Sequence, residues 1–317
     1  MIKQQEKWIF DNDGGLDDTY ALVLLLSKPE LVKLECITIV GGNVPVDIAA
    51  KANIRTLEIC QAKVPVYLGA NEGIVQPQNF IFEIHGRDGQ GDASDYKDLV
   101  GYVDCIKTDM HAVEAIIKTI NNNAGNISIL ATGPLTNIAL ALKLCPDIAK
   151  KIKRFVVMGG SHYSMGNMSW GAEFNFHCDP EAAEICIRKI PFVELLTSEN
   201  GDDFIVAPED IPKWLNPETT RGKFLHCISQ IMLNNPELNR VYCYDALAAA
   251  MVINPEVIKK GIKGRCKVEL QGTETRGALT IDWKNVKDYK VPDILPLIVR
   301  EVHYKMVMDL LISSTNP

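Results

Sequence analysis

Apolar and polar positions along this chain follow two alternating periods. Short β-branched runs, KWIFDND from Lys7, LECITIVGGN from Leu34, VPVYLG from Val64, NISILATG from Asn126, RFVVMGG from Arg154 and PFVELLTS from Pro191, have the length and composition of strands. Between them, apolar residues at helical spacing predict helices over Asp17 to Ser27, Asp47 to Gln61, His111 to Asn121, Leu135 to Leu144 and Pro180 to Ile187, the first ending ahead of Pro29. Strand and helix in regular alternation predict parallel strands with crossover helices, an open, mainly parallel, Rossmann-like α/β sheet flanked by helices. No linker or internal repeat interrupts the pattern, so one domain over residues 1–317 is expected.

The last third is less regular. It suggests helical stretches near Gly222 to Asn234 and Asp245 to Val252, a hairpin pairing CKVELQG with ALTIDW, and a final helix near Ile294 to Ile312, all edging or covering the sheet. The stretch from Asn71 to Asp109, centred on HGRDGQGD, has no clear period and reads as a mobile loop beside a site.

Several strands end in polar or glycine-rich segments: DNDGGLDD, VGGN, ATGPLTN and MGGSHYSMGN. In an open parallel sheet these ends share one edge, where ligands bind. DNDGGLDD places four aspartates within eight positions, directly after an apolar strand. Like charges so near a core repel and are costly to desolvate unless a cation or strong donors compensate. Carboxylates suit calcium or magnesium rather than zinc, which makes Asp13 and Asp18 the first candidate ligands. Acids in a first helical turn also complement the helix dipole, an account that covers Asp17 and Asp18 but not Asp11 and Asp13, which precede the helix.

Composition narrows the function classes. With 47% hydrophobic and 23% charged residues, the chain can bury a large core. Its formal net charge of −7 and the lack of a basic block argue against nucleic acid as a partner and favour a small polar substrate. No run reaches the roughly 18 apolar residues of a membrane span, and MIKQQEKWIF lacks the apolar core of a signal peptide, so a cytoplasmic location without a membrane partner is expected. Nine cysteines without a C-x-x-C pair fit neither a disulfide framework nor a zinc knuckle and read as reduced core residues. No G-x-S-x-G, Walker A or H-E-x-x-H motif occurs.

Two families share features of the aspartate cluster. The haloacid-dehalogenase-like phosphatases have an apolar strand followed by D-x-D-G-T-L, but Gly15 stands where that pattern has Thr, and of the later motifs only Asp202 and Asp203 can be nominated. The chain more closely resembles the nucleoside hydrolase family, whose signature D-x-D-x-G-x-D-D matches DNDGGLDD. Further motifs follow in the family's order: VGGN with Asn43, HGRDG with His85, ATGPLTN, VMGG, NMSWGAEFN followed by DPEAA, and YDALAA.

That resemblance implies the nucleoside hydrolase fold and calcium-dependent hydrolysis of the N-glycosidic bond of ribonucleosides, with roles in purine salvage and nucleoside metabolism. It implies calcium bound by Asp13, Asp18, Asp245 and the backbone carbonyl of Thr132, with Asp13 also acting as general base on a calcium-bound water. Asp17, Asn43, His85, Asn167, Glu173 and Asn175 become the substrate contacts; Glu173 and Asn175, two apart, would share one face of an extended segment. The family also implies a homodimer or homotetramer.

Base preference is read from Tyr244. Members with inosine-uridine preference carry a His there as leaving-group acid, whereas an unperturbed tyrosine, with a pKa near 10, is a weak proton donor. The purine-preferring branch has an aromatic residue at this position, which implies that Tyr244 stacks on the base, helped by Trp170 or Tyr242, and slightly favours purine nucleosides. HGRDG with His85 is closer to the inosine-uridine branch. Taken alone, the asparagines are turn formers, His162, His177 and His226 are surface or satisfied polar residues, Trp8 and Trp283 are packing residues, and Asp11 is a support outside the site. A noncatalytic, calcium-dependent ribose-binding protein remains a third class.

Overall fold

The computed structural model describes residues 5–96, 101–238, 240–284, 286 and 294–316. The first four residues of the N-terminal segment and residues 97–100 of the Asn71 to Asp109 stretch thus lie outside the described residues. The strands are β1 (Glu6–Asn12), β2 (Val32–Ile39), β3 (Val66–Leu68), β4 (Ile106–Lys107), β5 (Ile127–Ala131), β6 (Ile152–Met158), β7 (Val193–Leu196), β8 (Ile258–Lys263), β9 (Cys266–Val268), β10 (Leu279–Ile281) and β11 (Leu297–Val302). Nine of them form one sheet in the order β4-β3-β2-β1-β5-β6-β7-β11-β8, parallel except where β8 runs against β11. The expected hairpin is a separate antiparallel pair, β9 with β10.

Strand β1 lies inside the sheet, and its side chains alternate between two cores. Trp8 and Phe10 enter the core that contains the helices Leu16–Leu26 and Tyr244–Ile253; Ile9 enters the opposite core, with the helices Ala112–Asn122, Thr136–Leu144 and Pro180–Lys189. Two of these helices are unusual: LDDTYALVLLL and YDALAAAMVI are buried almost throughout, so each is apolar on every side. They pack on one another, and the polar residues in their first turns are therefore carried inward. No helix among the described residues is long and apolar enough to cross a membrane.

Three expectations about the chain's organisation change. The final helix begins later, at Tyr304–Thr315, because Leu297 to Val302 form β11, which lies between β7 and β8 with Ile298 and Val299 fully buried. The stretch Gly222 to Asn234 is two helices, Thr220–Ile228 and Gln230–Leu233, separated at Ser229, whose hydroxyl bonds Tyr20 Oη at 2.7 Å and Leu225 O at 2.6 Å. The segment His85 to Asp92 is pinned instead of free. The Arg55 guanidinium donates to Asp88 Oδ2 at 3.0 Å and Asp88 O at 2.7 Å, and Gln90 Nε2 donates to Thr19 Oγ1, Ala52 O and Thr56 Oγ1.

Asp11, the least explained residue of the opening motif, ties the sheet together. Its Oδ2 accepts from Thr38 Oγ1 at 2.6 Å and from Asn137 Nδ2 at 3.0 Å, while Asn137 also donates to Ile39 O and accepts from Ala70 N. Burial pushes the Asp11 carboxyl up to about 7. An Asn137→Ala change strands buried groups on several neighbouring segments at once and is expected to cost about 2–3 kcal/mol, read as a lower urea midpoint. A wild-type midpoint would show that the amide is dispensable.

Candidate active site

The site lies at the carboxyl ends of β1, β2, β5 and β6, where the chain leaves the sheet in the polar segments noted above. Asp13 follows β1, Asp17 and Asp18 open the helix Leu16–Leu26, and Asp245 opens the helix Tyr244–Ile253. All four carboxylates are buried. Oxygens of Asp17, Asp18 and Asp245 lie within 4.8 Å of one another. Asp13 adjoins Asp18, and its two oxygens accept from Asn43 N at 2.8 Å and Asn43 Nδ2 at 2.9 Å. Asp18 accepts from Gly15 N at 2.7 Å and Thr132 Oγ1 at 2.6 Å. This packing needs a glycine at Gly42, where a Cβ would sit 1.9 Å from Asp13 Oδ2.

Burial, and after it the neighbouring like charges, hold the carboxyls of Asp13 and Asp245 well above their usual range and that of Asp17 at about 7; burial also raises Asp18. Oxygen Oδ1 of Asp17 is buried without a hydrogen-bond partner among the described residues. A carboxylate with one orphaned oxygen, on a residue that converges with two more carboxylates, fits a hard divalent cation. The carboxylates that converge most closely include Asp17, which the family pattern gives to ribose, whereas Asp13 reaches the group through Asp18.

A cavity of about 290 Å³ opens beside this cluster. Its polar wall holds Asp17, Asn43, Thr132, Asn167, Glu173, Asn175 and Asp245, so the cavity gathers most of the residues expected to touch substrate. Ile81, Ile84, Met232, Leu238, Tyr242 and Tyr244 supply a less polar wall. His85 also lines it; its Nδ1 accepts from Leu16 N at 3.1 Å, which leaves the hydrogen on Nε2, and burial lowers its pKa to about 3. It is therefore a neutral donor.

Glu173 and Asn175 do come together, but not through strand alternation. Glu173 caps the helix Phe174–Cys178: Oε1 accepts from Asn175 N at 2.9 Å, and Oε2 accepts from Gly160 N at 2.7 Å. Burial pushes its carboxyl up to about 7. Asn175 Nδ2 donates to the Thr132 carbonyl at 2.9 Å, tying that oxygen to the helix Phe174–Cys178.

On the aromatic side, Tyr244 Oη donates to Asp202 Oδ1 at 2.6 Å; burial, then this carboxylate, raises the phenol pKa and keeps it protonated. Tyr242 lies parallel to Tyr244, with ring centroids 5.6 Å apart, and Arg240 covers Tyr242 at 4.3 Å. Trp170 is 83% exposed and does not line the cavity. Trp283 is only half-buried, against Arg300, whereas Trp8 is core. His162 is buried beside Thr197 and Glu199, a satisfied polar group. Asp202, nominated in the sequence only as half of a phosphatase acidic pair with Asp203, lines the cavity, and Arg55 and Gln90 carry no sequence signal because their partners are distant in the chain.

Residues 8–308 match the family model described as inosine-uridine preferring nucleoside hydrolase. Among curated relatives, the pyrimidine-specific ribonucleoside hydrolase RihB of Escherichia coli is 33% identical over 264 residues, 81% of each chain. Among solved structures, an inosine-guanosine nucleoside hydrolase superposes with a TM-score of 0.89 at 27% identity, covering 98% of both chains. The purine-preferring ribonucleoside hydrolase from Gardnerella vaginalis gives a TM-score of 0.86, also at 27% identity and 98% coverage of both.

The raised carboxyls set a sign for stability against pH. Without a cation, groups such as Asp17 and Glu173 keep protons near pH 7 that the unfolded chain, with ordinary carboxyl values, has already released. Their contribution to stability is therefore full at low pH and lost as pH rises through about 7. Thermal midpoints in chelator are expected to fall between about pH 4 and 7, and added calcium or magnesium to reduce the fall by occupying the deprotonated aspartates. A chelated protein with a flat profile would contradict this.

Proposed function

The chain belongs to the inosine-uridine preferring nucleoside hydrolase family, and from that premise we propose that its 317 residues act as one catalytic domain for calcium-dependent hydrolysis of the N-glycosidic bond, yielding ribose and a free base. The observation that carries the reading is the cluster of buried aspartates open to a cavity lined by Asn43, Asn167, Glu173 and Asn175.

Asp13, Asp18, Asp245 and the Thr132 carbonyl would hold the ion. When bound, calcium would supply positive charge that lowers the pKa of the attacking water. Asp13 takes the proton from that water; the two donors from Asn43 favour its ionised form. Asp17, Asn43, Asn167, Glu173 and Asn175 grip the ribose, fixing the anomeric carbon for attack. The neighbouring carboxylates stabilise the positive charge that develops on the sugar. His85 contributes a neutral Nε2–H to substrate.

The leaving base receives no proton from Tyr244, whose hydroxyl is engaged with Asp202. Tyr244 acts through its ring, with Tyr242 beside it, as a stacking surface. Stacking grows with ring size, which supports a slight preference for purine nucleosides. Relatives by name lie on both sides of this choice, one pyrimidine-specific and another purine-preferring. A homodimer or homotetramer working in cytoplasmic purine salvage completes the reading carried over from the family.

The test is ribose release from inosine, adenosine, guanosine, uridine and cytidine. Release is expected from ribonucleosides, and Asp13→Asn is expected to lower kcat by about 10²- to 10⁴-fold with an unchanged circular dichroism spectrum. Nucleoside binding without any release of ribose would make the chain a binding protein.

A further inference from the structure

We propose that Asp202 determines base specificity: its carboxylate accepts a hydrogen bond from a ring N–H on the base edge opposite the glycosidic bond. This rests on the hydrolase reading above and adds to it the residue that reads the far edge of the base.

Four acids line the cavity: Asp17, Glu173, Asp202 and Asp245. Asp17 and Asp245 belong to the carboxylate cluster, and both oxygens of Glu173 accept backbone N–H groups. Asp202 is different. Its Oδ1 accepts from Tyr244 Oη at 2.6 Å, whereas no hydrogen bond to Oδ2 is found among the described residues. Its side chain is 51% exposed. Arg240 steadies the group from outside, donating to Asp202 O at 3.3 Å and approaching Oδ1 at 3.8 Å.

Tyr244 shows where this acceptor lies relative to the cluster. Its backbone adjoins Asp245, a member of the cluster, and its phenol tip ends on Asp202. A nucleoside with its ribose over the cluster and its base along the tyrosine ring brings the far edge of the base to the phenol tip. In hypoxanthine and guanine that edge carries N1–H, and in uracil N3–H. The corresponding nitrogens of adenine and cytosine bear lone pairs, which face the carboxylate unfavourably. A charged acceptor at this place favours the lactam bases, because a hydrogen bond to a charged group strongly rejects an analogue that lacks the donor. Gly201 permits the arrangement, since a Cβ there would sit 1.9 Å from Tyr244 Cδ1.

The test compares kcat/KM within matched pairs, inosine against adenosine and uridine against cytidine, for the wild type, Asp202→Asn and Tyr244→Phe in the calcium-loaded protein. The wild type is expected to favour inosine and uridine by about 10- to 100-fold. Asp202→Asn, which offers an N–H donor to the ring nitrogens of adenine and cytosine, is expected to collapse or invert both ratios. Tyr244→Phe keeps the ring and the carboxylate and is expected to retain the lactam preference. Were Asp202 only a support for Tyr244, its loss would slow each pair equally and leave the ratios in place, and that result would overturn the proposal. Equal wild-type rates within each pair would overturn it too. No release of base from any nucleoside would instead remove the hydrolase reading, and this inference with it.

Discussion

The structure depends on one electrostatic constraint: four aspartate carboxylates are buried together at the end of an interior strand. Such a group is stable only if protons, donors or a cation offset the mutual repulsion. Donors do part of this, from Asn43, Gly15 and Thr132. The orphaned Asp17 oxygen marks what they leave undone.

Much of the fold serves to hold that arrangement. Two helices that are apolar on every side can lie deep in the core, and their N-termini then deliver Asp17, Asp18 and Asp245 to one point. Those ends also carry the positive poles of the helix dipoles, which lessens the cost of gathering acids there. Asp11 and Asn137 fasten the strand on which Asp13 depends to its neighbours, and Arg55 and Gln90 pin the segment that carries His85. Ligand-side groups are thus backed by buried hydrogen bonds from distant segments, the support that a preorganised site requires.

The parallel sheet and the cluster were legible because both are written in local patterns: short β-branched runs, helical periodicity, and aspartates packed after a strand. What escaped notice depends on distant partners. β11 reads as helix in isolation and becomes a strand between β7 and β8, where Ile298 and Val299 are buried. Glu173 and Asn175 meet through a helix cap, a geometry that two-residue spacing alone does not distinguish from a strand. Trp170 and Tyr242 were equal candidates as aromatic partners, and only the tertiary structure separates an exposed loop residue from one lining the cavity. Asp202 gains its place beside the base only through its position in the cavity and the hydroxyl it accepts.

The central claim is that the buried aspartates hold one divalent cation and that hydrolysis depends on it. The most direct measurement is a calcium titration of chelator-stripped protein, with bound calcium and ribose release from a nucleoside followed together. Negligible release is expected from the stripped protein, with a rise that saturates at about one calcium per chain. Full release by stripped protein, or calcium bound at the cluster with no gain in rate, would contradict it.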